Sequence, residues 1–76
     1  MFDYTIYPNN SPKEFKKVCD KIKALFPNAI EQPLLTDVDG STVQTFIQGG
    51  KDIDVYDDYD VGAVYVKSEI ELDMFK

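Results

Sequence analysis

Residues 11–28, SPKEFKKVCDKIKALFPN, contain every signal that one amphipathic helix needs, and no other segment of the chain does. Ser11 offers a hydroxyl to the unpaired N–H groups of a first turn. Pro12 suits the first helical position, where its missing N–H costs nothing. Glu14, three residues after Ser11, completes the capping-box pattern. Phe15, Val18, Cys19, Ile22, Leu25 and Phe26 then recur at helical spacing, with Lys13, Lys16, Lys17, Asp20, Lys21 and Lys23 on the other side. Pro27-Asn28 stops the run. The pattern predicts a helix over 12–26 whose apolar stripe buries Phe15 and Leu25. A lone helix with one apolar face must lie on something else, and the rest of the sequence is written in period two.

Residues 2–8 set Phe2, Tyr4 and Ile6 against Asp3, Thr5 and Tyr7 before Pro8, which reads as a strand. Residues 30–38 and 41–48 flank Asp39-Gly40, the dipeptide that a two-residue type I′ hairpin turn favours. That turn would place Val38 opposite Ser41, Thr36 opposite Val43, Leu34 opposite Thr45 and Gln32 opposite Ile47. Leu34, Val38, Val43 and Ile47 would then form the core side. Pro33 has no ladder donor, so this strand belongs at an edge or starts late. Gly49-Gly50 makes the next turn. In 52–57, Ile53 and Val55 point inward, with Asp52, Asp54 and Tyr56 outward, and DDYDVG follows as a loop. Residues 63–75 give the longest alternation, with Val64, Val66, Ser68, Ile70, Leu72 and Met74 on one parity. Ser68 is either a bend between two strands or the N-cap of a short helix with Glu71 three residues on. The order β-α-β-β-β, with a sixth element if the last run divides, predicts a single α+β domain over 1–76. Its sheet is antiparallel, of four to five strands, with one helix packed on one face.

At 76 residues such a domain buries only about 60% of its unfolded surface. The chain has no histidine and one cysteine, Cys19, so the commonest general base and a zinc site are both missing. Cys19 sits inside the helix stripe, where it reads as a small buried hydrophobe. Without disulfides the chain is expected to be cytoplasmic. MFDYTIYPNN has no basic start, and no apolar run approaches the roughly 18–20 residues of a membrane span, so neither secretion nor insertion is expected.

LLTDVDGST, residues 34–42, resembles the Asp-x-Asp-Gly-Thr motif of the haloacid dehalogenase phosphatases. Those enzymes need a doubly wound parallel sheet and a downstream lysine and acidic pair on further strand ends. One helix and the short stretch after Gly49 cannot supply them, and Ser41 displaces the threonine by one place. The motif is read as a hairpin turn. With no reactive cysteine, no phosphate loop and no second lobe to form a cleft, the chain is expected to be a non-enzyme with no cofactor.

Net charge is −6 and unevenly placed. Residues 1–29 carry five lysines against three acids, a balance of +2. Residues 30–76 carry three lysines against eleven acids, a balance of −8. There is no arginine, so direct nucleic-acid binding is not expected. The run DIDVYDDYD, 52–60, lacks the EF-hand spacing. As a partner-binding surface it would use Asp52, Asp54, Asp57, Asp58 and Asp60, with Tyr56 and Tyr59 among them. Glu69, Glu71 and Asp73 would form a second carboxylate row on the last strand. Tyrosines in such a setting serve either an interface or cross-strand packing. The lysine face of the helix complements the acidic sheet and is compatible with a homodimer.

In size, charge and α+β layout the chain is similar to small phage-encoded acidic inhibitors: anti-restriction and anti-CRISPR proteins and the inhibitor of uracil-DNA glycosylase. The resemblance implies a DNA mimic that blocks the basic nucleic-acid channel of a host defence complex, and no residue role comes with it. An immunity or antitoxin protein against a basic nuclease, and a structural subunit with an acidic solvent face, are the alternatives.

Overall fold

The computed structural model describes residues 1–75, and Lys76 lies outside them. Helix α1 spans Pro12–Leu25. Ser11 is extended, and its Oγ accepts from the Glu14 N–H at 3.1 Å, as the sequence predicts. The capping box is only half built. Glu14 turns its carboxylate to Lys17, 3.5 Å away, and the Ser11 N–H donates to Asp57 Oδ1 at 3.0 Å instead. Val18, Cys19 and Ile22 are buried, and Phe15 and Phe26 pack against the core. Leu25, expected inside, is 53% exposed. It is the last helical residue and stands roughly 70° from the midline of the stripe at 100° per residue.

Six strands form one antiparallel sheet. They are β1 (Phe2–Tyr7), β2 (Ile30–Glu31), β3 (Leu35–Thr36), β4 (Thr42–Gln48), β5 (Lys51–Asp58) and β6 (Ala63–Ser68). The order is β1-β6-β5-β4-β2, and β3 also pairs with β4. The first strand thus lies against the last, and α1 carries the chain across one face to the opposite edge. This is the expected α+β fold, with its edge strand divided. Pro33 cannot donate, so pairing with β4 breaks into two short ladders, β2 and β3. Ile53 and Val55 of β5, Val64 and Val66 of β6 and Phe46 of β4 form the sheet side of the core.

The hairpin register differs from the expected one by one residue. Thr36 pairs with Thr42 and Leu35 with Val43. The Asp37 N–H donates to Ser41 O at 2.8 Å and the Gly40 N–H to Asp37 O at 3.1 Å. These bonds close a three-residue turn, Val38-Asp39-Gly40, in which Gly40 alone has positive φ, +90°. A type I′ turn would need positive φ at Asp39 as well. Asp39 instead accepts the Ser41 N–H on its own carboxylate at 2.9 Å. The type I′ geometry falls at Gly49-Gly50, where both φ values are positive. A one-residue slip exchanges the faces of a strand. The core side of β4 is set by its ladder with β5, which puts Phe46 opposite the inward Ile53. Gln44 and Phe46 therefore face the core and the expected Val43 and Ile47 face outward, whereas Val38 is 104% exposed and Leu34 is exposed too.

Among the described residues beyond β6, neither a second strand nor a helix starting at Ser68 forms. The Ser68 hydroxyl accepts the Ile70 N–H at 2.9 Å and donates to Ile70 O at 2.7 Å, which bends the chain. Leu72 is buried, and its N–H donates to the Tyr4 hydroxyl at 2.8 Å. A 3-10 turn follows at Asp73–Phe75.

The register makes a direct contrast. Phe46→Ala is expected to cost about 3–5 kcal/mol, and Val38→Asp to stay within about 0.5 kcal/mol of wild type, both by urea denaturation. A large loss from Val38→Asp with little from Phe46→Ala would put Val38, Val43 and Ile47 on the core side instead.

Candidate functional site

Because α1 covers one face of the sheet, the other presents its side chains outward in rows set by the register. Leu35, Val43, Tyr56, Tyr65 and Thr5 are successive cross-strand neighbours on this face. The next row is Thr45, Asp54, Lys67 and Asp3. Tyr56 and Tyr65 stack with ring centroids 4.7 Å apart at 11°, which shields the backbone of an otherwise uncovered sheet. Thr45 Oγ1 donates to Asp54 Oδ1 at 2.9 Å. The Lys67 ammonium stands 5.9 Å from the centre of the Tyr65 ring.

Asp58 closes this face at one end of β5. Its Oδ2 accepts from the Tyr65 hydroxyl at 2.8 Å, and its Oδ1 accepts the N–H groups of Asp60 and Val61 at 2.9 and 3.2 Å. The Tyr65 bond and then the Val61 N–H hold this carboxyl below its usual range, against a small opposing effect of burial. Burial first, and then the bond to Asp58, pushes the Tyr65 phenol well above its ordinary value. Tyr56 is raised by burial and by the carboxylates of Asp54, Asp3 and Asp58.

In a meander, alternate turns lie at the same end of the sheet. The β3–β4 turn therefore sits beside the β5–β6 turn. The Tyr59 N–H donates to Ser41 Oγ at 2.9 Å, and the Tyr59 ring lies against Gly40, where a Cβ would come within 3.2 Å of it. Asp37, Asp39, Asp58 and Asp60 gather around a hollow of about 200 Å³ whose wall includes Tyr56. Among the described residues no group of three histidine, cysteine, aspartate or glutamate side chains could hold a metal ion.

The expected binding residues divide. Asp52, Asp54 and Tyr56 share the outer face of β5, as predicted. Asp58, expected in the following loop, is the last residue of that strand and joins them, with Tyr59 and Asp60 in the adjoining turn. Asp57 does not belong with them. It is still within β5, shares the inward parity of Ile53 and Val55, and is only 3% exposed. Its Oδ1 accepts the Ser11 N–H and, at 3.5 Å, Asn10 Nδ2, so it serves the start of α1. Glu69, Glu71 and Asp73 form no strand row, because the chain turns at Ser68. Glu69 reaches back to accept the Asp52 N–H at 2.7 Å. Asp37 and Asp39 were not singled out by sequence, although two acidic turns in one meander at alternate positions were a usable signal. Cys19 is buried, and burial pushes its thiol up to about 11, which leaves it protonated at neutral pH.

No protein-family model, curated protein or solved structure matches this chain.

Two measurements separate structural acids from surface ones. Asp57→Ala leaves the Ser11 N–H without its acceptor and is expected to cost about 1–3 kcal/mol, with Asp60→Ala near neutral, by thermal melting. Equal melting of the two would remove Asp57 from the helix junction. The second measurement is pH. Asp58 has a depressed folded pKa, so its contribution is complete above the ordinary 3.8 and is lost as pH falls through the folded value. Tyr65→Phe should move the Asp58 carboxyl back up in an NMR titration and shrink that acid-side loss. An unmoved Asp58 would show that the phenol does not hold it. The raised tyrosines act in the opposite sense: their contribution is complete below 10.0 and is lost as pH rises through their folded values.

Proposed function

We propose that this chain is a non-enzymatic binding protein that occupies a lysine- and arginine-rich, nucleic-acid-binding surface of a partner protein. The observation that carries this reading is the meeting of two acidic turns. Asp37 and Asp39 from one, and Asp58 and Asp60 from the other, crowd one hollow beside Tyr56. Like charges drawn together in this way repel, and a cationic partner relieves the repulsion. The acidic row of β5 continues the same potential along the open face. The exposed lysines of α1 project from the covered side of the sheet, so the two signs of charge are largely segregated, with Lys67 the exception on the open face. Such a field steers a basic partner into encounter and repels nucleic acid. By its resemblance to the small acidic inhibitors, the partner class is a host defence complex whose nucleic-acid channel is blocked by mimicry. Strand-borne acids two residues apart are ~6.7 Å apart, against one charge per ~1.7 Å of duplex axis. The mimicry is of sign and spread of charge, not of phosphate spacing.

The test is capture of the partner on immobilised protein, followed by elution with salt and with duplex DNA. Duplex DNA and this chain are expected to compete. Asp37→Asn, Asp39→Asn and Asp60→Asn together keep the turn acceptors but remove three charges. They should slow association about tenfold or more at low salt, with a smaller effect at high salt, where charges reach only about 3 Å. Binding that is unchanged in the triple variant at both salt levels, or that is indifferent to DNA, would overturn the proposal.

A further inference from the structure

The acids of the open face have an apolar neighbour that charge mimicry leaves unused. Ile30 pairs with Ile47 and Leu35 with Val43, so these four side chains share the outer face at the β2–β3 edge. Ile30 is 60% and Leu35 64% exposed. Single exposed aliphatics are ordinary, whereas two aliphatic pairs on one edge of an uncovered sheet, with only Thr45 between them on β4, mark an interaction surface. Immediately beside it, Asp52 is the register partner of Ile47, and Asp54 is the partner of Thr45. Two apolar pairs flanking Thr45 and the carboxylates of Asp52 and Asp54 therefore run side by side along the strands. Val43 to Ile47 covers about 13 Å, the rise of about nine helical residues. A helix about 10 Å across covers β4 together with a strand on either side.

We infer that this half of the face seats a basic amphipathic helix of the partner, with its apolar stripe on Ile30, Leu35, Val43 and Ile47 and its lysines or arginines against Asp52 and Asp54. The inference rests on the acidic-binding reading and adds to it an apolar anchor and a shape. Charge complementarity selects the occupant. An acidic or neutral helix would bring no cation to Asp52 and Asp54, and a purely cationic segment would leave the aliphatic pairs wet. An added strand does not fit this edge. Its two strands, β2 and β3, are only two residues each, and Pro33 between them has no N–H to donate. A second copy of the chain does not fit either. Its α1 carries the lysines, but the apolar stripe of that helix is buried on its own sheet, and each copy carries −6.

Three designed peptides of about 18 residues test this: a leucine/lysine amphipathic helix, a serine/lysine peptide of equal charge, and a leucine/glutamate helix. Anisotropy titrations against the full chain should show the leucine/lysine peptide binding about tenfold or more tighter than the serine/lysine one. Ile30→Ser with Leu35→Ser, both exposed positions, should erase that difference without altering serine/lysine binding. Asp52→Asn with Asp54→Asn should flatten its salt dependence. Amide NMR shifts should fall on β4 and β5. Equal, salt-sensitive binding of the two lysine peptides would overturn this inference while leaving the acidic-surface reading standing. Binding by neither would overturn both. Leucine/glutamate binding as tight as leucine/lysine, shifts confined to α1, or concentration-dependent dimerisation through this face in sedimentation would each overturn the basic helix as its occupant.

Discussion

A carboxylate buried at the start of α1 holds the two layers together. Asp57 lies on the inward side of the central strand β5 and accepts the Ser11 N–H at 3.0 Å. Asn10 spans the same junction, donating from Nδ2 to the Asp58 carbonyl. A helix N-terminus presents unpaired N–H groups and the positive end of the helix dipole, so it can shelter an anion that no cation neutralises. Ion pairs within 4 Å stand on and beside α1, at Lys16–Asp20, Lys17–Glu14 and Lys23–Glu31. With solvent-exposed partners, these contribute little to stability. The junction fixes where α1 begins on the sheet. The stripe of Val18, Cys19 and Ile22 then settles over Ile53, Val55, Val64 and Val66.

That placement leaves one face of the sheet bare, and the bare face explains the tyrosines. Tyr56 and Tyr65 are direct cross-strand neighbours, and their stack covers backbone that a second helix would cover in a three-layer fold. The Tyr65 hydroxyl then reaches the carboxylate that organises the β5–β6 turn. Packing and charge are thus joined in one unit. The aromatic pair stiffens the surface on which the acids stand, which lowers the ordering cost of any complex formed there.

The acids themselves have different work. Asp57 anchors the helix and Asp58 builds a turn, while Asp39 shapes the hairpin by accepting the Ser41 N–H. Asp52 and Asp60 are exposed, as are Asp37 and Asp39. A count of eleven acids in residues 30–76 therefore overstates the charge offered to a partner. The distribution is more informative than the sum. Two turns that are more than fifteen residues apart in sequence become neighbours because an antiparallel meander returns every second turn to the same end.

The sequence by itself determined the elements whose signals are local. Ser11-Pro12 starts α1, and the alternation in 52–57 and 63–68 places Ile53, Val55, Val64 and Val66 inside, because capping and period two are properties of neighbouring residues. Asp-Gly at 39–40 likewise announced a turn. Tertiary structure decided what depends on choosing between close local alternatives. A two-residue and a three-residue turn both accept Gly40, and the choice between them moves Val38 from the ladder into the exposed turn, while pairing with Ile53 of β5 puts Phe46, not Val43 and Ile47, in the core. The Ser11 N–H has two candidate acceptors, and only the docking of α1 on β5 gives it Asp57 rather than Glu14. The long alternation after Ser68 lacked a pairing partner: β1 occupies the outer side of β6, so the chain turns and buries Leu72 instead. Register, capping partner and strand end are each settled by contacts between residues far apart in sequence, which no local pattern encodes.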